Sequence, residues 1–377
     1  MSDEATVPVV VSEVTCCIHH QLYEPVLEQL RGLGVHSVLH EGGRTVRLRR
    51  RRRGEQTYDQ PAEVLRFVVA PKTVVAVFER LYQAVGMSVR GRGSFHAQQC
   101  TEHILASTAH IPMIGGLNEH TLPDTPPIAS KLALITCVLS TKGSAERVAE
   151  LALEMGTGVP LVTLGTGTGM RDRLGLLRIT VPPEKELVQV VVPLADTEVV
   201  IRQIVEEGRL DGPGKGFVFS TPVQEAVLDT LIRSGTQRHA ASMEQVVAAL
   251  DRLNQGTEWR RRFTSDQAGT ARLMKRLVHI AFVCAEERSQ NFVEAAQRAG
   301  ATGATSARIE RIVTGEESAR DSARERCTLT VSAADAPGVI EAILGVAAQE
   351  PRWLDSLQSM PVPVAYSYRT WVAPNTT

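Results

Sequence analysis

The chain has little of what would point to a membrane-spanning, secreted or nucleic-acid-binding protein. Its 377 residues include only six cysteines and 4% aromatic residues, and the formal net charge is −1. No apolar run approaches the roughly 18 residues that a membrane-spanning helix needs. The N-terminus lacks a basic segment followed by an apolar core, so we expect no secretory signal and a cytoplasmic location. The near-neutral charge argues against a general nucleic-acid-binding protein.

The few cysteines and histidines are poorly arranged for metal, redox or catalytic chemistry. Cys17, Cys137 and Cys284 each fall in an apolar segment, where a small buried side chain is expected. No Cys/His group has zinc-ligand spacing, so structural cysteines are favoured over metal-binding or redox-active ones. Neither a Ser-His-Asp set nor a carboxylate pair suggests catalysis, and we expect no enzyme. Six histidines near the first repeat lack the spacing of metal ligands: His19, His20, His96, His103, His110 and His120.

What the chain does have is an internal repeat. An apolar strand, an amphipathic helix ending in glycine, a variable loop, an apolar strand and a second amphipathic helix follow one another three times. The first helices end at Gly34, Gly156 and Gly300, which are 122 and 144 residues apart. The later strands keep similar offsets at Val69, Val192 and Val331. Repetition at this period predicts three units of βαββα type.

The boundaries of these units can be read from the joints between them. We predict units at 8–105, 129–235 and 271–374, a linker at 106–128 and a helical linker at 236–270. The first joint is rich in Pro and Gly, which excludes a long helix. The second has apolar residues at helical spacing behind Ser242. The segment VPVAYSYRTW alternates apolar and polar residues and predicts the last strand of the third unit.

The strands of each unit are too apolar for a sheet with one face in water. LVQVVV and ALITCV are apolar at nearly every position, which implies burial on both faces. Two helices can cover only one face, so we expect the other faces of the three sheets to pack together. One chain would then do what three chains do in a homotrimer. Clefts between neighbouring units are the expected ligand sites.

One loop carries a chemical signal beyond architecture. Gly212, Gly214 and Gly216 flank Lys215 after the second helix of the second unit. Glycines let backbone N–H groups approach anionic oxygens, and a lysine adds positive charge, so this composition suits a polyphosphate. The residues do not follow the order of a Walker loop. A simple tight turn is the alternative.

The segment GRLDGPGKGFVFSTPVQEAV, from Gly208 to Val227, resembles the signature near the C-terminus of PII signalling proteins. The resemblance is strong over about 130–228, where VTLGTGTG stands at the start of the family's T-loop, and rests elsewhere on the order of elements. It implies an α+β chain of three ferredoxin-like (βαββαβ) PII-like units forming a monomeric pseudo-trimer. It also implies a non-enzymatic regulator that binds an adenine nucleotide (ATP, ADP or AMP) between units. The regulated partner would be a protein such as a membrane transporter or a metabolic enzyme.

The resemblance places the nucleotide on glycines and two basic residues of the second unit: Gly165, Gly167, Gly169, Gly208, Arg209, Gly212, Gly214 and Lys215. Gly169 or Met170 stands near the family's 2-oxoglutarate-binding glutamine, so the sequence does not favour that ligand. The corresponding loop of the first unit has Gly91 and Gly93, and that of the third unit has no glycine. A structural or adaptor protein without a ligand is the alternative function.

A basic run, Arg47 and Arg49 to Arg53, stands at the T-loop position of the first unit. Blocks of like charge are typically solvated and mobile. We predict an exposed, mobile loop that contacts an acidic partner, with an anionic membrane surface as the alternative. Stacking aromatics are missing nearby apart from Tyr58, so single-stranded nucleic acid is not the expected partner.

Overall fold

The computed structural model describes residues 7–51, 54–104, 126–169, 184–229, 233–234, 273–313 and 323–368. These residues form an α+β structure with a mostly antiparallel sheet and six α-helices. They fall into three successive stretches, which we call the first (7–104), second (126–229) and third (273–368) segments.

The first segment runs strand, helix, strand, strand, helix, strand. Its elements are β1 (Val7–His19), α1 (Tyr23–Gly32), β2 (Ser37–Arg51), β3 (Gly54–Val69), α2 (Val74–Ala84) and β4 (Gly93–Ile104). The strands pair antiparallel in the spatial order β2-β3-β1-β4. The first strand is therefore central, and the second lies at one edge.

The second and third segments repeat this order of elements. The second contains β5 (Leu132–Leu139), α3 (Ser144–Glu154), β6 (Leu161–Gly169), β7 (Glu184–Pro193), α4 (Thr197–Glu207), β8 (Gly216–Val223) and the short β9 (Glu225–Val227), with β10 (Arg233–Ser234) following. The third contains β11 (Leu277–Ala285), α5 (Ser289–Arg298), β12 (Gly303–Val313), β13 (Ala323–Ser332), α6 (Ala336–Gln349), β14 (Leu354–Val362) and β15 (Ala365–Ser367). Their sheets have the orders β6-β7-β5-β8 and β12-β13-β11-β14, equivalent to that of the first segment.

The first helix of each segment ends on a glycine in the left-handed region. Gly34, Gly156 and Gly300 have φ of +75°, +71° and +114°. After α1, the N–H of Gly34 donates to the carbonyl of Arg31 and the next N–H donates to Leu30, both at 3.0 Å. The same pair of bonds closes α3 and α5. This is the Schellman motif, which favours glycine because a Cβ is strained at positive φ.

Each segment buries its own core between one face of its sheet and its two helices. In α2 the buried residues are Val74, Val77, Phe78 and Leu81, which is the spacing of one helix face. They pack with Leu65 and other residues of the first sheet. Equivalent cores centre on Ile135 with Ile201 in the second segment and on Phe282 with Ile343 in the third.

The three sheets are joined through their second strands in a closed cycle. The start of β2 pairs with the end of β12, the start of β12 with the end of β6, and the start of β6 with β2. The register is given by Ser37 opposite Val313, Gly303 opposite Gly169 and Leu161 opposite Thr45. Each of these edge strands therefore finds a partner in both other segments, which covers edges that would otherwise be open to aggregation.

The fourth strands make a second set of contacts between segments. Strand β9 leaves the second segment and pairs with β4, β15 leaves the third and pairs with β8, and β14 pairs with β4. The segment VPVAYSYRTW does contain a strand, β15, but this strand pairs with β8 of the second segment, so β14 is the last strand of the third sheet. The predicted linkers lie outside the described residues apart from 126–128.

Candidate functional site

The glycine loop of the second segment connects α4 to β8. The glycines at its two ends are closely packed, and most residues between them are exposed. Gly208 is buried at the end of α4, where a Cβ would lie 2.7 Å from the carbonyl oxygen of Ile204. Gly216 begins β8, and a Cβ there would lie 2.4 Å from the carbonyl oxygen of Val138. Close packing therefore explains both of these glycines without a ligand.

The exposed part runs from Asp211 to Lys215, and Arg209 before it is also exposed, whereas Leu210 between them is buried in the core. Arg209, Gly214 and Lys215 are exposed, and Gly212 is half-buried. Gly214 has φ of +69°, and the N–H of Lys215 donates to the carbonyl of Gly212 at 3.4 Å. The carbonyl of Lys215 accepts from the N–H of Ser140 at 3.0 Å, which fixes the loop to the end of β5. The N–H groups of Gly212 and Gly214 thus lie near the side chains of Arg209 and Lys215 in this loop.

The second predicted glycine segment, which the resemblance places at the start of the T-loop, is a strand. Gly165, Gly167 and Gly169 all lie in β6. An ideal Cβ on Gly167 would lie 2.4 Å from Cε of Lys185, so this side chain crosses the strand where glycine leaves room. The Nζ of Lys185 then donates to Oγ of Ser140 at 2.8 Å. We call the glycine loop between α4 and β8 the Lys215 loop. Lys185 and Ser140 therefore connect β6 to the Lys215 loop, and the two predicted glycine segments lie side by side.

The third segment borders the second segment's site on two sides. Strand β12 pairs with the end of β6, where a Cβ on Gly165 would lie 3.0 Å from Cγ2 of Thr305. Strand β15 pairs with β8, which starts at the end of the glycine loop. Burial and the nearby carboxylate of Asp211 raise the pKa of Tyr366 in β15. We call the region bounded by the Lys215 loop, β6 and the third segment the second cleft.

The equivalent region of the first segment, which we call the first cleft, is arranged differently. Its loop 86–93 contains Gly91, whose N–H donates to Oδ1 of Asp229 at 3.1 Å. Oδ2 of the same carboxylate accepts from Nη2 of Arg47 at 2.6 Å, and both side chains are 2% exposed. Arg92 points back into its own loop and donates to the carbonyl of Val85.

This pairing overturns part of the prediction for the arginine run. Arg47 is buried, and β2 continues as a regular strand paired with β3 up to Arg51 opposite Gly54. The backbone of residues 48–51 is therefore strand rather than mobile loop, although Arg49 is exposed. Arg52 and Arg53 lie outside the described residues. The period-two pattern of apolar Val46 and Leu48 was the signal in the sequence that indicated a strand.

The loop of the third segment has no glycine, and its Trp353 ring contacts the side chain of Arg288. It runs from α6 through a 3-10 turn at Pro351–Trp353 into β14. The guanidinium of Arg288 lies 4.6 Å from the ring centroid of Trp353, a distance typical of cation–π contacts.

A central cavity, which the sequence did not indicate, lies where the inner faces of the three sheets meet. Its volume is about 40 Å³. Polar side chains from all three segments line it, among them Glu13, Arg66, His96, Gln98, Gln189, His279 and Arg326. Burial, and then the charge of Arg66, lowers the pKa of His96 to about 4. Burial, and then Arg326, lowers the pKa of His279 to about 3.

The inner faces are therefore less apolar than predicted, and their charges are paired. Nη1 of Arg66 donates to Glu41 at 2.7 Å, and Nη2 of Arg326 lies 3.3 Å from a carboxylate oxygen of Glu13. The second pair joins the third segment to the first. Buried charges of this kind stabilise only when paired, so the cavity depends on the three sheets being in register.

All six cysteines are buried and unlinked, as predicted for structural cysteines. Within the described ranges, no group of three or more His, Cys, Asp or Glu side chains could hold a metal ion. In the same part of the chain, no helix is long and apolar enough to cross a membrane.

Comparison with known proteins identifies no family. No protein-family profile and no curated protein matches the chain. A solved microcompartments protein from Desulfitobacterium hafniense DCB is 10% identical, with a TM-score of 0.18, over 62% of this chain and 96% of that one. A solved aspartate kinase from Synechocystis is 9% identical, with a TM-score of 0.21, over 95% of this chain and 45% of that one. These likenesses are too weak to carry an argument about fold or function.

Proposed function

We propose that this chain is a PII-like regulatory protein that binds an adenine nucleotide in the second cleft and controls a partner protein. In this proposal the three segments are ferredoxin-like units of a single-chain pseudo-trimer. The recurring βαββαβ order, the equivalent strand orders and the cyclic pairing of β2, β6 and β12 support that architecture. The partner is a transporter or a metabolic enzyme, as the resemblance of the Gly208–Val227 segment implies.

The observation that carries the proposal is the meeting of the Lys215 loop with β6 through Lys185 and Ser140. The ammonium groups of Lys185 and Lys215, the guanidinium of Arg209 and the N–H groups of Gly212 and Gly214 border one cleft in this proposal. Triphosphates need concentrated positive charge and closely spaced donors, and backbone N–H groups at glycines supply donors without steric obstruction. The third segment borders the same cleft, so a bound nucleotide would contact two segments and could alter how they pack.

Isothermal titration of the full-length protein with ATP, ADP and AMP tests this directly. Lys215→Ala removes an exposed ammonium group that makes no side-chain ion pair in the described structure. A lost charge-assisted contact costs about 1.5–3 kcal/mol, so we expect nucleotide affinity to fall about tenfold or more. Lys72→Ala is the matched control, because Lys72 is an exposed lysine of the first segment.

The outcomes separate the two functions considered. Unchanged nucleotide affinity in Lys215→Ala would place the nucleotide outside the second cleft. Absence of binding of all three nucleotides to the wild-type protein would reject the nucleotide sensor and favour the structural or adaptor protein.

A further inference from the structure

Equivalent strands and loops border the first and second clefts, but different side chains from the neighbouring segments lie beside them. Strands β4 and β8 begin at Gly93 and Gly216, which pair with equivalent residues of their central strands. Counting back two residues makes Gly91 the counterpart of Gly214, and both have positive φ, +89° and +69°. The two loops therefore present an N–H group from equivalent positions.

The strands that cross to a neighbouring segment, β9 and β15, also occupy equivalent positions. Val227 of β9 pairs with Phe95, and Tyr366 of β15 pairs with Val218, at equivalent positions of β4 and β8. Two residues further on stand Asp229 in the first cleft and Tyr368 in the second. An acid of the neighbouring segment thus reaches the first cleft, and its counterpart by strand register in the second is a tyrosine.

Asp229 is bound as an anionic ligand would be bound. One carboxylate oxygen accepts from a loop N–H at 3.1 Å, and the other accepts from the Arg47 guanidinium at 2.6 Å. The donors belong to the first segment and the acceptor to the second. Cys17 lies close enough for both charges to act on it: burial raises its pKa to about 12, which Arg47 lowers and Asp229 raises.

We propose that the first cleft is an oxyanion site that the chain keeps filled with its own Asp229 carboxylate. The site would accept the phosphate class of ligand if the carboxylate were removed, because a loop N–H and a guanidinium are typical phosphate donors. In the wild-type protein the contact closes this cleft and leaves the second cleft as the open one. Asp229 thereby fixes the second segment against the first whether or not a ligand is present.

The experiment is rescue of Asp229→Ala by inorganic phosphate and pyrophosphate in the full-length chain. The variant leaves the buried Arg47 without this carboxylate, so its thermal midpoint in chloride should fall below that of the wild type. Phosphate or pyrophosphate at equal ionic strength should restore it, by about 4 °C or more at a hundredfold excess over Kd. The wild type should respond less, because its first cleft is filled.

Two controls isolate the pocket. Glu225→Ala removes a half-buried carboxylate of the same crossing segment and should show no gain over the wild type. Arg47→Met combined with Asp229→Ala removes the guanidinium and should abolish the rescue. Asp229→Ser serves as a second opened variant, since its hydroxyl can still meet Arg47 while leaving space for an anion.

The proposal would be overturned if phosphate, compared with chloride, raised the thermal midpoint of Asp229→Ala and Asp229→Ser no more than that of the wild type. If neither variant folds in chloride, refolding yield with and without phosphate decides: recovery only with phosphate supports the site, and no recovery overturns it. Failure of ATP to bind the wild-type protein would reject the proposed function and would leave this test unaffected.

Discussion

His96 lets the buried polar interior be tested through pH. The imidazole lines the central cavity beside Arg66 and is 6% exposed. At equivalent positions of the other two sheets stand Phe219 and Gln358, neither of which titrates. The substitution His96→Gln therefore introduces a side chain that the third segment already uses at this place.

The expected effect follows from the lowered pKa. Burial and Arg66 lower the pKa of His96 from 6.5 to about 4, so the native state does not take up the proton that the unfolded state takes up below pH 6.5. Stability is therefore lost as the pH falls from about 6.5 to about 4. Each pKa unit corresponds to about 1.4 kcal/mol, which gives a loss of about 3 kcal/mol over this window.

Urea-induced unfolding at a series of pH values from 7 to 4 measures this loss. The free energy of unfolding of the wild type should fall about 3 kcal/mol further than that of His96→Gln. His20→Gln is the control for replacing a histidine at an exposed position, because His20 lies outside the central cavity. Parallel pH curves for wild type and His96→Gln would refute the burial of a neutral imidazole at this site.

Two further substitutions test other features: one should stabilise the protein at high pH, and the other should destabilise it through a steric clash. Burial raises the pKa of Glu102 to about 7, so this carboxylate costs stability as the pH rises from about 4.5 through 7; Glu102→Gln should raise the free energy of unfolding at pH 8, by about 3 kcal/mol at most, and leave it unchanged at pH 4. A Cβ on Gly93 would lie 2.2 Å from the carbonyl oxygen of Cys17, at φ of +143°. Gly93→Ala should therefore cost at least about 2 kcal/mol in urea unfolding, whereas Gly42→Ala, which meets no atom within 4 Å, should cost much less.

The repeat could be predicted from the sequence because it depends on local patterns. Helix ends at Gly34, Gly156 and Gly300 are set by the left-handed φ that each Schellman motif needs. Apolar strands and amphipathic helices follow from burial on one face or two. The predicted order of strands and helices recurs in the three segments, and the six cysteines are buried.

What the sequence could not show is which segment each strand edge meets. Backbone edges carry the same donors and acceptors whatever their side chains, so the pairing of β2, β6 and β12 leaves no local pattern. The same holds for β9 and β15, which cross to a neighbouring segment. The burial of Arg47 depends on such a crossing, because Asp229 lies 182 residues away in the chain. A solvated arginine run was therefore the natural prediction and proved wrong at this residue.

The proposed nucleotide site is tested most directly by a crystal structure of the full-length protein grown with a non-hydrolysable ATP analogue. The account predicts phosphate density against the N–H groups of Gly212 and Gly214 and the ammonium group of Lys215, in the second cleft, with Asp229 still bound to Gly91 in the first. Nucleotide density in the first cleft or the central cavity, or an empty second cleft at saturating analogue, would contradict it.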